Sequence, residues 1–133
     1  WECTAEKLPF SDNSCDIVTI AFGIRNFNEP EKALSEIKRV LKDNRTLAVL
    51  EFGMPKKGLF GSLYLWYFRN ALPIIVKMIS KHYSAYSYLP ETVSSYPYGE
   101  GFSKLMNVNN FSCFHIKRLS MGISYIYLSS NNN

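Results

Sequence analysis

Residues 16–52 read DIVTIAFGIRNFNEPEKALSEIKRVLKDNRTLAVLEF and carry the clearest structural pattern in the sequence. The run 16–22 is almost entirely apolar and rich in β-branched residues, which predicts a strand buried on both faces, as in a parallel sheet. Residues 46–52 repeat this pattern and predict a second buried strand. Between the two runs, apolar residues recur at helical spacing (Leu34, Ile37, Val40, Leu41). A strand, a helix and a strand with short connections predict one right-handed βαβ unit.

Local signals indicate where this helix begins and ends. Asn28 can cap it, Pro30 suits its first turn, and Glu31 stands three residues after Asn28, as in a capping box. The polar stretch 43–45 interrupts the apolar stripe, and Asn44 can adopt the left-handed conformation that often follows a helix. We therefore expect the helix to begin close to Pro30 and to end before Asn44.

The last third of the chain predicts a helix followed by two antiparallel strands. The helix is expected near residues 101–109. Residues 114–119 and 123–128 alternate in polarity, and the short segment 120–122 joins them, which is typical of a hairpin that closes a sheet edge. Residues 129–133 form a polar tail that we expect to fray. The chain is therefore predicted to be an α/β protein with a mostly parallel sheet ending in an antiparallel hairpin.

The middle of the chain is apolar and basic. The run 59–80 has Arg69, Asn70 and Pro73 at its centre, so it does not resemble a transmembrane helix and predicts two short helices broken near Pro73. Residues 52–90 carry five basic residues and no acidic residue. Two alternatives stay open: a helix packed on the domain's own core with a solvated basic face, or a lid and membrane-surface contact that attracts anionic lipid.

Composition sets the remaining limits. The chain has 133 residues, of which 47% are hydrophobic and 20% charged, which predicts one folded domain rather than a disordered chain. The net charge of +4 and the absence of a nucleic-acid motif argue against a nucleic-acid partner. Three cysteines without CxxC spacing favour free thiols over a metal site or a disulfide framework. The first residues do not form a signal peptide, so we expect a protein that is not secreted. The sequence begins with Trp1 rather than methionine, so we expect a piece of a longer protein.

Several segments together resemble a known enzyme family. The most specific are FGIRN at 22–26, VLEF at 49–52 and AYSYLPET at 85–92, and AEKLPF at 5–10 supports them. The chain resembles the C-terminal half of the ubiquinone/menaquinone biosynthesis C-methyltransferases, which are class I enzymes that use S-adenosylmethionine. The resemblance implies the C-terminal part of a Rossmann-like fold. It also implies a single, N-terminally truncated domain over 1–133, with 53–95 as a helical lid or substrate insertion.

The resemblance implies a cofactor site at the start of the chain and at the end of the first strand. Thr4 and Ala5 would lie against the adenine of S-adenosylmethionine, and Ala21 would lie beside its methionine portion. The glycine-rich loop and the acidic ribose ligand of the family precede Thr4 and are not in this sequence. Relatives also have glycine where this chain has Asn44 and often where it has Asn110, which suggests relaxed constraint in two turns.

The resemblance, together with the chemistry of the side chains, assigns catalytic and substrate residues. Arg25 and Asn26 follow a strand at the edge where ligands bind in such sheets, and a guanidinium can stabilise a phenolate or orient a water. Gly23 would permit a tight turn there. A surface ion pair of Arg25 with Glu29 or Glu31 is the alternative. Tyr86 would line a quinone pocket, or else belong to the core.

The implied function is S-adenosylmethionine-dependent C-methylation of a polyprenyl hydroquinone. Such a substrate places the enzyme at a membrane surface, on the cytoplasmic side or on the mitochondrial matrix face, as a homodimer or within a quinone-biosynthesis complex. A non-catalytic truncated homologue is the rival hypothesis. It would bind a membrane or partner enzymes through residues 52–90.

Overall fold

A four-stranded mixed sheet organises the molecule. The computed structural model describes residues 3–55, 58–72, 74–75 and 96–131. The strands are β1 (Cys15–Ala21), β2 (Leu41–Phe52), β3 (Phe111–Leu119) and β4 (Ser124–Asn131), in the order β1-β2-β4-β3. β1 pairs with β2 in parallel, and β4 runs antiparallel between β2 and β3. Three of the four described strands therefore point the same way, and the predicted α/β sheet with a terminal hairpin is confirmed.

Two helices cover one face of this sheet. They are α1 (Pro30–Val40) and α3 (Glu100–Val108), and a further helix, α2 (Leu59–Trp66), follows β2 along the chain. The apolar stripe of α1 was predicted from its spacing, and it supplies the buried residues Leu34 and Ile37. These meet side chains from α3 and the sheet in one cluster that includes Leu47, Val49, Phe102, Met106, Phe111 and Tyr127.

β1 is buried on one face only, so the prediction of burial on both faces was wrong. Val18 and Ile20 pack against the core, whereas the side chain of Ile17 is 58% exposed and Thr19 and Ala21 are also exposed. The reason is that α1 and α3 lie on the same side of the sheet, and β1 pairs only with β2 among the described strands. An apolar run shows that a strand is packed against other elements, but it does not show whether one face or both faces of the strand are covered.

The helix α1 is capped by a distant residue rather than by its own capping box. Pro30 is its first residue, as predicted, but neither Asn28 nor Glu31 caps it through a side chain. Instead, the backbone amides of Asn28 and Glu29 donate to Oε1 of Glu6 at 3.2 and 3.3 Å. A carboxylate at this position also favours the positive end of the helix dipole. The predicted capping box was wrong because a segment remote in sequence supplies the acceptor.

The two asparagines that stand where relatives have glycine both adopt left-handed backbone conformations. Asn44 has φ 56° and Asn110 has φ 62°. Asparagine is among the few residues that accept this conformation. Asn44 lies within β2 where its register with β1 shifts, not at the end of α1, which stops at Val40. Both asparagines therefore keep a backbone conformation that is typical of glycine.

The C-terminal hairpin extends further than its sequence pattern predicts. β3 and β4 are joined at Ser120–Gly122, as expected. The expectation that residues 129–133 fray was wrong for 129–131, which belong to β4. Asn131 is buried, its Oδ1 accepts from the Arg45 amide at 3.1 Å, and its Nδ2 donates to the Leu41 carbonyl at 3.4 Å. These two bonds tie the end of the chain to the start of β2.

The middle segment begins as predicted with a short helix. α2 is followed at Tyr67–Ala71 by a π-helical turn, in which hydrogen bonds span one residue more than in an α-helix. Pro73, the predicted break, lies outside the described residues, as does most of the predicted lid at 53–95. Among the helices that the structure describes, none is both long and apolar enough to span a bilayer.

Candidate functional site

The carboxyl ends of β1 and β2 meet at a strained turn. β1 ends at Ala21, and the next residue, Phe22, has a left-handed φ of 53°, which is unusual for a bulky side chain. The Phe22 amide donates to the Leu50 carbonyl at 2.8 Å, and the Phe22 and Phe52 ring centroids lie 4.3 Å apart. The sequence predicted that Gly23 makes the tight turn, but Gly23 has an ordinary φ of −120°. The left-handed residue of the turn is Phe22 instead. Strain of this kind is common at functional sites.

Arg25 lies in the 3-10 turn Ile24–Asn26 that follows, and it forms a buried ion pair with Glu51 of β2. The distance from Nη1 of Arg25 to Oε1 of Glu51 is 2.5 Å, and the two side chains are only 6% and 2% exposed. Nη1 also donates to the Phe22 carbonyl at 3.0 Å, and the guanidinium carbon lies 5.1 Å from the centre of the Phe52 ring. The alternative pairing with Glu29 or Glu31 is therefore wrong, because the turn directs Arg25 toward β2.

Three buried polar atoms around this pair have no hydrogen-bond partner within the described part of the chain. They are Nε of Arg25, Oε2 of Glu51 and the hydroxyl of Tyr96. Burial first, and then the charge of Glu51, raise the pKa of Tyr96 to about 12, while the charge of Arg25 lowers it, so Tyr96 is within electrostatic range of the ion pair. Buried polar atoms are normally satisfied, and a group of unsatisfied ones indicates a place where a ligand or water is bound.

The sequence analysis missed Glu51 and Tyr96 as site residues. A signal for Glu51 was present, since it is the only acidic residue in the otherwise apolar stretch 46–52. A carboxylate on a buried strand is costly unless a cation meets it. That argument would have pointed to a basic partner at the same end of the sheet. Tyr96 offered no comparable signal, because it precedes α3 in a stretch without a clear pattern.

Of the other site residues predicted near the carboxyl end of β1, two lie near Arg25 in the chain and one is outside the described residues. Ala21 is exposed at the end of β1, and Asn26 is exposed on the turn, where its amide donates to the Gly23 carbonyl at 3.0 Å. These two therefore lie close to Arg25 along the chain and face outward. Tyr86 lies outside the described residues, so its predicted substrate contact stays a prediction.

Thr4 and Ala5 lie in a tight turn that packs on the start of α1. The Lys7 amide donates to the Thr4 carbonyl at 3.2 Å. The pKa of Glu6 is held below its usual value by hydrogen bonds from its own backbone amide and that of Glu29, and more weakly by the Thr4 hydroxyl and the Asn28 amide. Thr4 borders a depression of about 570 Å³. The other residues that line it belong to this turn, to α1 and to the residues just before α1. Arg25 does not line this depression.

A partly exposed ion pair on α1, between Glu36 and Arg39, holds the segment that follows this turn. The Leu8 amide donates to Oε2 of Glu36 at 3.1 Å, and Nη2 of Arg39 donates to the Leu8 carbonyl at 3.1 Å. Nη1 of Arg39 donates to the Phe10 carbonyl at 2.8 Å, and Arg39 and Glu36 bond each other at 2.9 Å. Glu36 and Arg39 therefore fix residues 8–10, which follow the predicted cofactor residues Thr4 and Ala5, on α1, a role that the sequence pattern did not reveal.

This anchor predicts a specific acid sensitivity. The hydrogen bond from Arg39, and then that from Leu8, lowers the pKa of Glu36 from 4.5 to about 2. A lowered pKa stabilises the fold at pH values above 4.5, and that stabilisation is lost as the pH falls from about 4.5 to about 2. Glu36→Gln should therefore lower the free energy of unfolding at pH 6, and the difference from the parent protein should shrink toward pH 2. Urea unfolding at several pH values measures this.

The control for this prediction is Glu31→Gln, which changes an exposed carboxylate on the same helix. It should leave the pH dependence of unfolding as it is in the parent protein. A constant stability difference between Glu36→Gln and the parent across this pH range would contradict the account.

Beyond the end of β2, an open groove of about 560 Å³ runs toward the β3 edge. Its walls are largely apolar and aromatic, with one acidic and one basic residue at the rim: Met54, Pro55, Tyr98, Gly99, Glu100, Ile116, Arg118 and Tyr125. Tyr98 and Tyr125 form one wall, with ring centroids 6.0 Å apart. The groove begins three residues after Glu51 along the chain, so it lies at the same end of the sheet as the ion pair.

The fold defines the class of protein. A crystal structure described as a SAM-dependent methyltransferase from Aquifex aeolicus matches it with a TM-score of 0.63. The match covers 98% of this chain and 53% of that one, at 18% sequence identity. The architecture is therefore the α/β fold of S-adenosylmethionine-dependent methyltransferases.

The family follows from the sequence comparisons. The profile of the ubiE/COQ5 methyltransferase family matches residues 1–130, and the chain belongs to that family. It is 44% identical over 127 residues to a demethylmenaquinone methyltransferase of Thermus thermophilus, covering 96% of this chain and 57% of the relative. It is 42% identical over 123 residues to the ubiquinone/menaquinone biosynthesis C-methyltransferase UbiE of Rickettsia prowazekii, covering 92% of this chain and 50% of that protein. The chain thus spans about half the length of these relatives.

Proposed function

We propose that this chain contributes the acceptor side of an S-adenosylmethionine-dependent C-methyltransferase that acts on a polyprenyl hydroquinone. The observation that carries the proposal is the buried Arg25–Glu51 pair, set beneath the strained Phe22 at the carboxyl ends of two parallel strands. Ligands bind at this edge in doubly wound sheets. The family membership and the names of the two relatives support the proposed reaction and substrate class.

The residues at the end of β1 suit a bound S-adenosylmethionine in part. Ala21 is small and exposed, so it leaves room over the backbone at the strand end. Ala5 is small and half-buried in the same turn as the exposed Thr4, so it offers a surface for a flat ring. When bound, this cofactor supplies an electrophilic methyl group. Ala5 would contact the adenine ring of the cofactor, and Ala21 would contact its methionine portion.

Arg25 is proposed to act on the acceptor. A hydroquinone becomes nucleophilic at the neighbouring ring carbon as a water takes its phenolic proton, and negative charge develops on the oxygen. After the methyl group is transferred, that carbon loses its own proton to solvent and the ring becomes aromatic again. Donors that are already held in place stabilise such a charge without reorganisation. Glu51 and the Phe22 carbonyl hold Arg25 from one side, and Nε has no partner among the described residues. Asn26, exposed on the same turn, is proposed to orient the acceptor.

A membrane-surface contact is proposed for α2 and the residues after it. Leu59, Leu63 and Trp66 recur at spacings of four and three, and they are 92%, 63% and 61% exposed. They form one apolar stripe, and Arg69 lies exposed just beyond it. An exposed apolar stripe next to a cation is typical of helices that lie in a membrane interface. It would bring the site to a substrate whose tail resides in the bilayer.

We expect the double change Leu63→Ser and Trp66→Ser to weaken binding to lipid vesicles about tenfold or more, because it removes two large apolar groups from the stripe. Co-sedimentation with vesicles of mixed neutral and anionic lipid measures this. Val108→Ser is the matched control, since Val108 is an exposed apolar residue (80%) on α3, away from the stripe. Equal binding by both variants and the parent protein would refute the membrane contact.

Calorimetry with S-adenosylmethionine tests the cofactor part of the proposal. The longest native chain that carries this sequence is expected to bind the cofactor, and Arg39→Ala is expected to weaken binding because it frees the segment at Leu8 and Phe10. If that native chain binds no cofactor, the enzyme proposal fails. The rival function, a scaffold that docks through residues 52–90, would then be the one to test.

A further inference from the structure

The groove beyond β2 begins one strand away from the Arg25–Glu51 pair. Glu51 of β2 stands directly opposite Tyr125 of β4, and Tyr125 stands directly opposite Arg118 of β3. Residues opposed in this way have their side chains on the same face of the sheet, with Cβ atoms about 4.5–5.5 Å apart. Tyr125 and Arg118 both line the groove. The groove therefore continues the row that Glu51 begins and extends it toward the β3 edge.

The outer wall of the groove is fixed by contacts within the fold. The Gly99 amide donates to the Tyr127 hydroxyl at 2.6 Å, and Gly99 has a left-handed φ of 59°, which favours glycine. The neighbouring Tyr98 ring lies 6.0 Å from that of Tyr125, measured between centroids. Large apolar groups nevertheless remain open to solvent here, since Tyr98 is 39% and Ile116 is 37% exposed. A preformed groove of this kind gains free energy when an apolar ligand covers its walls.

The charges at the groove favour an uncharged chain over an ionic ligand. Glu100 and Arg118 are the charged residues among the described residues that line it, and their formal charges cancel. The other lining residues are aliphatic, aromatic or glycine. The volume of about 560 Å³ lies in the range of sites for small organic ligands. The groove thus suits a flexible apolar chain of moderate length.

We propose that this groove binds the first isoprene units of the acceptor's polyprenyl tail, with the acceptor ring at the end of the groove next to the buried ion pair. The inference rests on the proposed function and adds to it a binding site for the tail, in which Ile116 and Tyr98 are apolar contacts. α2 begins at Leu59, four residues after Pro55 of the groove, so the two Cα atoms are no more than about 15 Å apart. A longer tail would therefore have a short path from the groove to the exposed apolar stripe of α2.

Two probes that differ only in the tail test this site on the longest native chain that carries this sequence. They are 1,4-naphthohydroquinone and its 2-geranyl derivative, both kept reduced under nitrogen and used without detergent. The parent protein is expected to bind the geranyl probe more tightly. Ile116→Ser is expected to raise the Kd for the geranyl probe about tenfold, because an apolar contact with the tail is lost, and to leave the Kd for the tail-less probe unchanged. Tyr98→Ser should act in the same way.

Phe114→Ser is the matched control, since Phe114 is an exposed apolar residue (61%) of the same strand as Ile116 and lies outside the groove lining. It should bind both probes like the parent protein, and thermal unfolding verifies that all three variants are folded. If the parent protein binds the two probes equally, or if Ile116→Ser and Tyr98→Ser keep the parent's affinity for the geranyl probe or lose affinity for both probes alike, the tail site is refuted and the proposed function stands. If the parent protein binds neither probe, the proposed function fails with it.

Discussion

Replacing Arg25 by methionine is expected to destabilise the protein by about 3–5 kcal/mol, because it strands the Glu51 carboxylate in the interior without a cation. Glu51 is 1% exposed, and the Phe52 amide at 2.8 Å is too weak a partner to offset a buried charge. Methionine keeps most of the volume of the side chain, so the loss reports the missing charge rather than a cavity. Urea unfolding at pH 7 measures it.

The double variant Arg25→Met with Glu51→Leu makes this prediction sharper. Removing both charges leaves no stranded ion, and such replacements of buried pairs are often neutral or stabilising. We therefore expect the double variant to recover most of the loss. Lys32→Met is the control, since it breaks an exposed pair with Glu29 at 3.3 Å and should cost less than about 1 kcal/mol. A single Arg25→Met variant as stable as the parent protein would show that the pair is not buried as described.

Gly53→Val is expected to cost about 1–3 kcal/mol or more, since it forces a side chain into occupied space. A Cβ atom at Gly53 would lie 2.5 Å from Cε2 and 2.7 Å from Cδ2 of the Tyr125 ring, and 3.2 Å from the Gly122 carbonyl oxygen. Tyr125 would have to move, and the aromatic wall of the groove beyond β2 would move with it. Thermal unfolding and the near-UV circular dichroism of the tyrosines follow both effects.

Gly23→Ala is the matched comparison for Gly53. A Cβ at Gly23 would lie no closer than 3.7 Å to its neighbours, and the backbone φ of −120° suits any residue. We therefore expect a stability change within about 0.5 kcal/mol. If Gly53→Val were tolerated as well as Gly23→Ala, the close approach of β2 to Tyr125 would be contradicted.

Patterns within one element were enough to predict most of the fold. The spacing of apolar residues placed α1, and the two apolar runs placed β1 and β2. A helix was also expected near residues 101–109, where α3 lies. The alternation in the last third predicted the β3–β4 hairpin. Each of these signals is a property of neighbouring residues, so it can be detected in a linear sequence.

The features that the sequence did not predict depend on residues far apart in the chain. Glu6 caps α1 from 22 residues away, and Arg25 meets Glu51 across 26 residues. Asn131 bonds the start of β2 across 86 residues, which is why an apparently polar tail is a buried strand. The exposure of Ile17 has the same origin, because an apolar run does not say which face the helices will cover.

The candidate site was predicted in part for the same reason. The position of Arg25 at a strand end followed from the order of elements, and the structure places it there. Its partner, its burial and the neighbouring Tyr96 follow only from the folded sheet. The site is thus better described as a buried Arg25–Glu51 unit with Tyr96 than as a single free cation.

Methyl transfer is the decisive measurement for the proposed enzyme. The measurement follows the transfer of label from S-adenosylmethionine, carrying a radioactive methyl group, to a short-tailed demethylnaphthohydroquinone by the longest native chain that carries this sequence. We expect a ring-methylated product and a rate at least about 100-fold lower for Arg25→Lys, which keeps the charge but not the planar donors. No transfer by the parent protein, or equal rates for the parent protein and Arg25→Lys, would contradict it.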